Sequence, residues 1–263
     1  MKRLLAVRTS SFAVVILITF IVMSCGGGGG GGGGGGTEIW VPYIYAQLYS
    51  LPTGSSLPGY KSASVYVLEK VGNDYYAITD AMVYFFGSGV TSGYGLTYNS
   101  NGHYYEGDIV VAPGGDVTLG VTVYDGTKWP TYVSRAIQLS SYPIITEPVS
   151  GASWSAGLSH TIKWSGNYPT TNTFIGLGIA DPNDINGDLL WPSDGYLLEL
   201  GSTETSYTIP ANSLTPGNGI AVVIVGTEFP VVYEAPGEPS HGAGPGSVFV
   251  IGGFNYVPIT VIP

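Results

Sequence analysis

Apolar side chains recur at every second position through short runs of this chain, and turn-forming residues separate the runs. The clearest run carries Val117, Leu119, Val121 and Val123, alternating with Thr118, Gly120, Thr122 and Tyr124. Side chains on a strand repeat every two residues, so such a run buries one face and leaves the other to solvent. Ala81, Val83 and Phe85 alternate with Met82, Tyr84 and Phe86 in the same way. Further strands are predicted over 39–49, 64–71, 75–79, 103–111 and 132–139. The breaks between them are Gly72-Asn73-Asp74, Asn101-Gly102, Pro113-Gly114-Gly115 and Asp125-Gly126, all turn chemistry. After Ser141-Tyr142-Pro143 to Pro148, a short linker, the pattern restarts over 161–164, 174–180, 196–200, 206–209, 220–225, 248–251 and 259–262.

Composition supports the same reading. Twenty tyrosines, 41 glycines and 18 prolines stand beside only 10% charged residues, and stretches rich in helix formers are missing. The expected fold is all-β: two tandem immunoglobulin-like β-sandwich domains, residues 37–142 and 143–263. Seven short strands in the second segment suit such a sandwich.

The chain before these domains has a different character. Lys2, Arg3 and Arg8 precede an apolar stretch from Ser11 to Ile21, then Val22-Met23-Ser24-Cys25 and the glycine run Gly26 to Gly36. A basic start, a short apolar middle and a small residue before the cut are the parts of a secretory signal. The apolar stretch is short of the roughly 20 residues a spanning helix needs. The weaker readings are a permanent transmembrane anchor and a plain signal peptide cut elsewhere.

Val22 and Ser24 flanking Met23 ahead of Cys25 resemble the lipobox of bacterial lipoproteins. The resemblance implies a signal peptide over 1–24, removal before Cys25, and a diacylglyceryl thioether with an acylated amine on Cys25. Two or three chains hold a protein at a membrane stably, whereas one is marginal. A lone cysteine has no intrachain disulfide partner, which favours the lipid over a bridge. Residues 25–36 then form a lipidated tether with a root-mean-square reach of about 18 Å along its glycines. Gly26 stands where lipoproteins kept in the inner membrane usually carry aspartate, so the resemblance implies the outer membrane. Periplasmic and outward-facing placements stay open.

Two weaker resemblances concern the domains. Thr79 to Tyr84, Gly102 to Tyr105 and Pro113 to Leu119 loosely resemble bacterial immunoglobulin-like and carboxypeptidase-regulatory-like modules. Glu147 to Gly157 with Thr161-Ile162-Lys163-Trp164, then Ser206 to Pro210 and Gly246 to Val250, are similar to a Ser-Thr-rich membrane-anchored family. That family is best known from fungal cell-wall glucan-assembly proteins. It implies a non-catalytic extracellular module. Trp154 and Trp164 are expected in its core, since a large aromatic buries roughly 150–250 Å².

The net charge of −10 becomes −13 once Lys2, Arg3 and Arg8 are removed. Nucleic acid is excluded as a partner, because its phosphates require clustered Lys and Arg. Electrostatic docking on anionic lipid is disfavoured for the same reason. His103, His160 and His241 lack zinc-ligand spacing. No G-x-S-x-G elbow, P-loop or dinucleotide fingerprint occurs. Glu199 and Glu204 are a carboxylate pair only in the sense that any two acids are. No enzyme is expected.

Asp181-Pro182-Asn183-Asp184-Ile185-Asn186-Gly187-Asp188, with Asp194 nearby, is rich in oxygen ligands. Calcium takes six to eight oxygens, so Asp181, Asn183, Asp184, Asn186, Asp188 and Asp194 are candidate ligands. An EF-hand is excluded, since Leu189 and Gly195 occupy positions that need glycine and glutamate. The plain alternative is a solvated turn. Tyr94, Tyr98, Tyr104 and Tyr105 lie near Gly/Asn-rich turns and suggest a glycan or protein platform, or else outward strand residues. The function expected is a membrane-anchored, non-catalytic cell-envelope lipoprotein displaying sandwich modules to protein partners or envelope polymer. The alternative is a carbohydrate-binding surface lipoprotein.

Overall fold

The computed structural model describes residues 42–263 apart from 53, 72–73, 125, 127–128, 130, 184–188, 194–195, 231–243 and 245–246. Its described residues are all-β, without helix. The first half contributes β1 (Tyr43–Ser50), β2 (Ala63–Val71), β3 (Asp74–Ala77), β4 (Met82–Phe86), β5 (Val90–Ser92) and β6 (Thr97–Asn99). It continues with β7 (Tyr104–Gly107), β8 (Val110–Val111), β9 (Asp116–Thr122), β10 (Thr131–Val133) and β11 (Ile137–Gln138). The second half has β12 (Ile144–Glu147), β13 (Ala152–Ser155), β14 (His160–Ser165), β15 (Thr173–Ala180) and β16 (Leu198–Gly201). The chain closes with β17 (Ser206–Ile209), β18 (Gly217–Pro230) and β19 (Val248–Ile262).

One sheet runs through both halves, in the order β16-β15-β18-β19-β1-β2-β7-β6. Its spine is the antiparallel pair β18–β19, in register from Gly217↔Val261 to Pro230↔Val248. β19 has two parallel partners on its other flank. Residues 248–253 pair with β1, from Tyr45↔Val248 to Ser50↔Gly253, and residues 259–262 pair with β13. The expected separation at 142/143 is therefore crossed by the last strand, whose first residues belong to the sheet of the first half. Pro258 lies in the gap between the two parallel ladders, so its missing N–H removes no bond on that flank.

Smaller sheets cover one face of this spine. β4, β9, β10 and β11 place Val83, Phe85, Val117, Leu119 and Val121 against Ile44, Leu48, Val65, Phe249 and Ile251. Phe85 and Phe249 meet across the layers with ring centroids 5.6 Å apart. In the second half, β12-β14-β17 packs Ile162, Trp164 and Ile209 against Ile175, Leu177, Val223 and Ile259. Trp154 and Trp164 are both buried, as their sequence context suggested. Between these two cores, on the same face of β19, the linker crosses. The Asn255 amide donates to the Pro143 carbonyl at 2.8 Å, and the linker backbone from Ser141 to Tyr142 lies over Gly253.

The opposite face of the spine carries a third core. Tyr49, Leu57, Tyr60, Ala180, Leu189, Val222, Ile224, Val250 and Phe254 form it, under the segments that follow β1 and β15. Tyr60 stacks on Phe254 at 4.8 Å and donates its hydroxyl to the Tyr49 carbonyl at 2.6 Å. Burial raises the Tyr49 hydroxyl well above the ordinary tyrosine range, helped by Tyr60, Glu199 and Glu228. Burial, with Asp108 adding to it, does the same for Tyr60. In the first core, burial outweighs the Ala81 amide bond and pushes Tyr105 up to about 12.

These shifts have a definite sign. A tyrosine that ionises less readily folded than unfolded contributes stability that is complete below its unfolded pKa of about 10. That contribution falls as pH rises from there through the folded value. Stability is therefore expected to hold through neutral pH and drop steeply above about pH 10. Tyrosinate absorbance should rise together with loss of near-ultraviolet circular dichroism. Full tyrosine ionisation near pH 10 with the fold intact would contradict this.

Candidate functional site

The residues singled out from sequence fall in different places. Cys25, Asp184, Asn186, Asp188, Asp194 and His241 lie outside the described residues. Asp181 and Asn183 are described. The Asp181 carboxylate accepts from the Asn183 backbone N–H at 2.8 Å and from its side-chain amide at 3.2 Å. That is the local Asx geometry of a turn. Among the described residues, no group of three or more His, Cys, Asp or Glu side chains is placed to hold a metal. His160 stacks face to face on Trp154, with centroids 4.6 Å apart, and its Nε2 lies 2.7 Å from the Ser155 carbonyl. It closes the rim of the second core.

The tyrosine platform suggested by Tyr94, Tyr98, Tyr104 and Tyr105 is not what the structure forms. Tyr104 and Tyr105 are buried. The Tyr105 hydroxyl accepts from the Ala81 N–H at 2.8 Å and donates to the Ile78 carbonyl at 2.9 Å, tying the chain between β3 and β4 to β7. Tyr98 packs on Tyr105 at 5.2 Å and lies half-buried. Neighbouring turns gave no information about facing. β7 has the core on one side and Tyr66 on the other, at 5.3 Å from Tyr104. Of the four, Tyr94 alone is well exposed.

A different aromatic surface is present, on the outward side of β4-β9-β10. Because Val83 and Phe85 point into the first core, Met82, Tyr84 and Phe86 point away from it. Met82 is 57% exposed and Phe86 39%. The neighbouring strand β9 places Thr118, Gly120 and Thr122 on this side, all buried and in register with Phe86, Tyr84 and Met82, with exposed Asp116 at its start. β10 adds Thr131 and Val133 beside Thr122 and Gly120. The Thr122 and Thr131 hydroxyls are 2.8 Å apart and bond to each other.

Gly120 sets the posture of the central ring. A Cβ at this position would lie 2.5 Å from Cζ of Tyr84 and 2.9 Å from its hydroxyl oxygen. The phenol therefore reaches across β9 and lies on the glycine rather than standing off the sheet. Tyr84 and Phe86 have centroids 5.8 Å apart with ring planes 33° from parallel. Beyond the end of β9, Tyr124 and Trp129 form a second exposed pair, 5.0 Å apart and 36° from parallel. The signal for this surface was present in the sequence. Met82 to Phe86 is apolar at every position, and a glycine interrupts the valine- and threonine-rich β9.

No family model matches the chain, and no curated protein does. Among solved structures it is similar to domains 4 and 5 of the S-layer protein SbsC. The match has 14% identity and a TM-score of 0.20, and covers 85% of this chain and 99% of that one. A likeness of that size bears on neither fold nor function.

Proposed function

We propose that this chain is a bacterial lipoprotein: a non-catalytic cell-envelope protein held at the outer membrane by lipid on Cys25. It displays immunoglobulin-like β-sandwich modules to protein partners or envelope polymer. The observation that carries the reading is the junction Val22-Met23-Ser24-Cys25 followed at once by eleven glycines. A lipid at the first residue of such a spacer places the acyl chains in the bilayer and leaves the folded part free of it. The all-β architecture is compatible with a display module. Among the described residues no helix is long and apolar enough to cross a membrane.

Metabolic labelling with a palmitate analogue tests this. The wild-type chain is expected to take up label and sediment with outer membranes. Cys25→Ser should lose the label and leave the outer-membrane fraction while keeping the wild-type unfolding transition. Unlabelled wild-type protein, or an unlabelled variant that still partitions as wild type, would overturn the lipid anchor.

A further inference from the structure

We propose that this chain is a load-bearing link: tension between the Cys25 tether and the second half is carried in shear by the parallel ladder of β1 on β19. The proposal deepens the envelope-display reading, and its test uses the Cys25 thiol without any lipid.

The first observation is direction. The chain that leads from Cys25 through the glycine run enters its first strand at Tyr43. β19 runs the same way beside that strand, from Tyr45↔Val248 to Ser50↔Gly253, and continues to Ile262. From Val248 to Ile262 it extends about 45 Å at the rise of a strand. Its far part lies in the core of the second half, through Ile259 and Val261. A pull on the tether and an opposing pull on the second half therefore act in opposite directions along the paired strands.

That geometry decides how the ladder fails. Opposed pulls along two paired strands load all their hydrogen bonds at once, so the bonds must yield nearly together. Pulls applied at one end of a pair open the bonds one at a time, and each is weak alone. Sliding β1 out also meets β2, paired with it from Tyr43↔Leu68 to Leu48↔Ala63.

The second observation is reinforcement. The ladder is interior to the sheet, with β18 and β2 on its flanks. Ile44, Leu48, Phe249 and Ile251 cover it from the first core, and Tyr49 and Val250 from the third. Strained bonds there have no water to replace a partner, and the low polarity around them makes each one stronger. At the end where tension arrives, a side chain extends the ladder. The Ile44 N–H donates to Ser247 Oγ at 3.0 Å, and that hydroxyl donates to the Gly244 carbonyl at 2.8 Å. Farther along β19, the Tyr256 hydroxyl donates to the Ser56 carbonyl at 2.7 Å.

The third is how the strand is shared. Residues 259–262 of β19 form a second parallel ladder with β13, so each half grips the same strand lengthwise. Closing the first core needs only some strand beside β1. Carrying load needs one whose far end is fixed in the other half, and β19 meets that condition through β13 and β18.

The test is single-molecule stretching of the full chain made without lipid, held by DNA handles on Cys25 and on one introduced cysteine. Ile262→Cys, at a 46% exposed position near the end of β19, gives the opposed pull. Val71→Cys, at a 56% exposed position on β2 beside the start of β1, gives the pull from one end. Thermal unfolding checks that both variants keep the wild-type transition. At equal force the Ile262→Cys chain should stay folded at least about tenfold longer, because the unfolding rate governs forced unfolding. Adding Ser247→Ala to it should shorten that lifetime severalfold. Equal lifetimes in the two geometries overturn the proposal and leave the pairing with core closure alone. So does an unchanged lifetime for a folded Ser247→Ala chain, or a first release confined to residues 254–262, in which β19 yields before β1 slides. None of these lifetimes depends on acylation, so loss of the lipid reading and loss of the shear ladder are separate results.

Discussion

Gly252→Val is expected to cost the folded state about 3 kcal/mol, the upper end of the usual range for overpacking. Gly252 stands at the centre of the continuous sheet, paired with Gly226 on β18 and Tyr49 on β1. A Cβ there would lie 2.2 Å from the Val225 carbonyl oxygen and 2.7 Å from the Tyr49 ring. Gly226 is in the same situation beneath the ring of Phe174, at 2.4 Å. The row Phe174–Gly226–Gly252–Tyr49 thus has two aromatic rings folded inward over two glycines; a larger residue at Gly226 must displace the Phe174 ring, and one at Gly252 must displace backbone. Flattening the Tyr49 side chain does not remove the carbonyl contact, so Tyr49→Ala should fail to rescue the variant. Gly201→Ala provides the comparison. Nothing lies within 4 Å of its added methyl, and its effect should stay within about 0.5 kcal/mol. Urea unfolding followed by intrinsic fluorescence measures both. Equal midpoints for Gly252→Val and wild type would show that the central row is not packed as described.

The same row explains what the sequence could and could not convey. Alternation located β4 within one residue and β9 within two, because each has one wholly apolar side. β17 matched its prediction at both ends. β19 was read as two strands, 248–251 and 259–262, because Gly252-Gly253 and Pro258 look like breaks. In the structure the glycines serve close packing on both faces and the proline falls between two partners. β5, β6, β12 and β13 were not anticipated. They are short, at three or four residues too brief to show a periodicity of their own, and their partners define them: β8, β7 and β14 nearby, and β19 far along the chain for β13. Alternation already places Met82, Tyr84 and Phe86 on the outward side of β4, but it does not show that Thr118, Gly120 and Thr122, which pair with them on β9, are buried. Conversely, the tyrosines nearest the turns looked exposed, and two of them are core.

A fragment ending at residue 142 is expected not to fold, although it contains every strand from β1 to β11. Without residues 248–253, β1 keeps β2 on one flank and loses its whole ladder on the other. The backbone groups that faced β19 would become an open edge beside the buried Ile44, Ala46 and Leu48. Phe249 and Ile251, both 2% exposed or less, would vanish from the first core, and Phe85 would lose the ring it meets at 5.6 Å. Within the full chain, Phe249→Ala isolates the packing term and should cost about 3–5 kcal/mol. Its distinctive mark is location: a change in the last strand should lower hydrogen-exchange protection at Phe85 and Leu119 in the first half, as well as in β18. Cooperative unfolding of the isolated fragment, with protection in β1 like that of the full chain, would show the first half to be self-sufficient. Failure of the fragment, reversed by adding a peptide of residues 246–256, would show that the closing strand is part of the first half's core. That coupling would make the chain one mechanical unit on its tether. A load applied at the outward aromatic face of β4-β9-β10 would then pass through Phe85 and Phe249 into β19, and from there into both halves together.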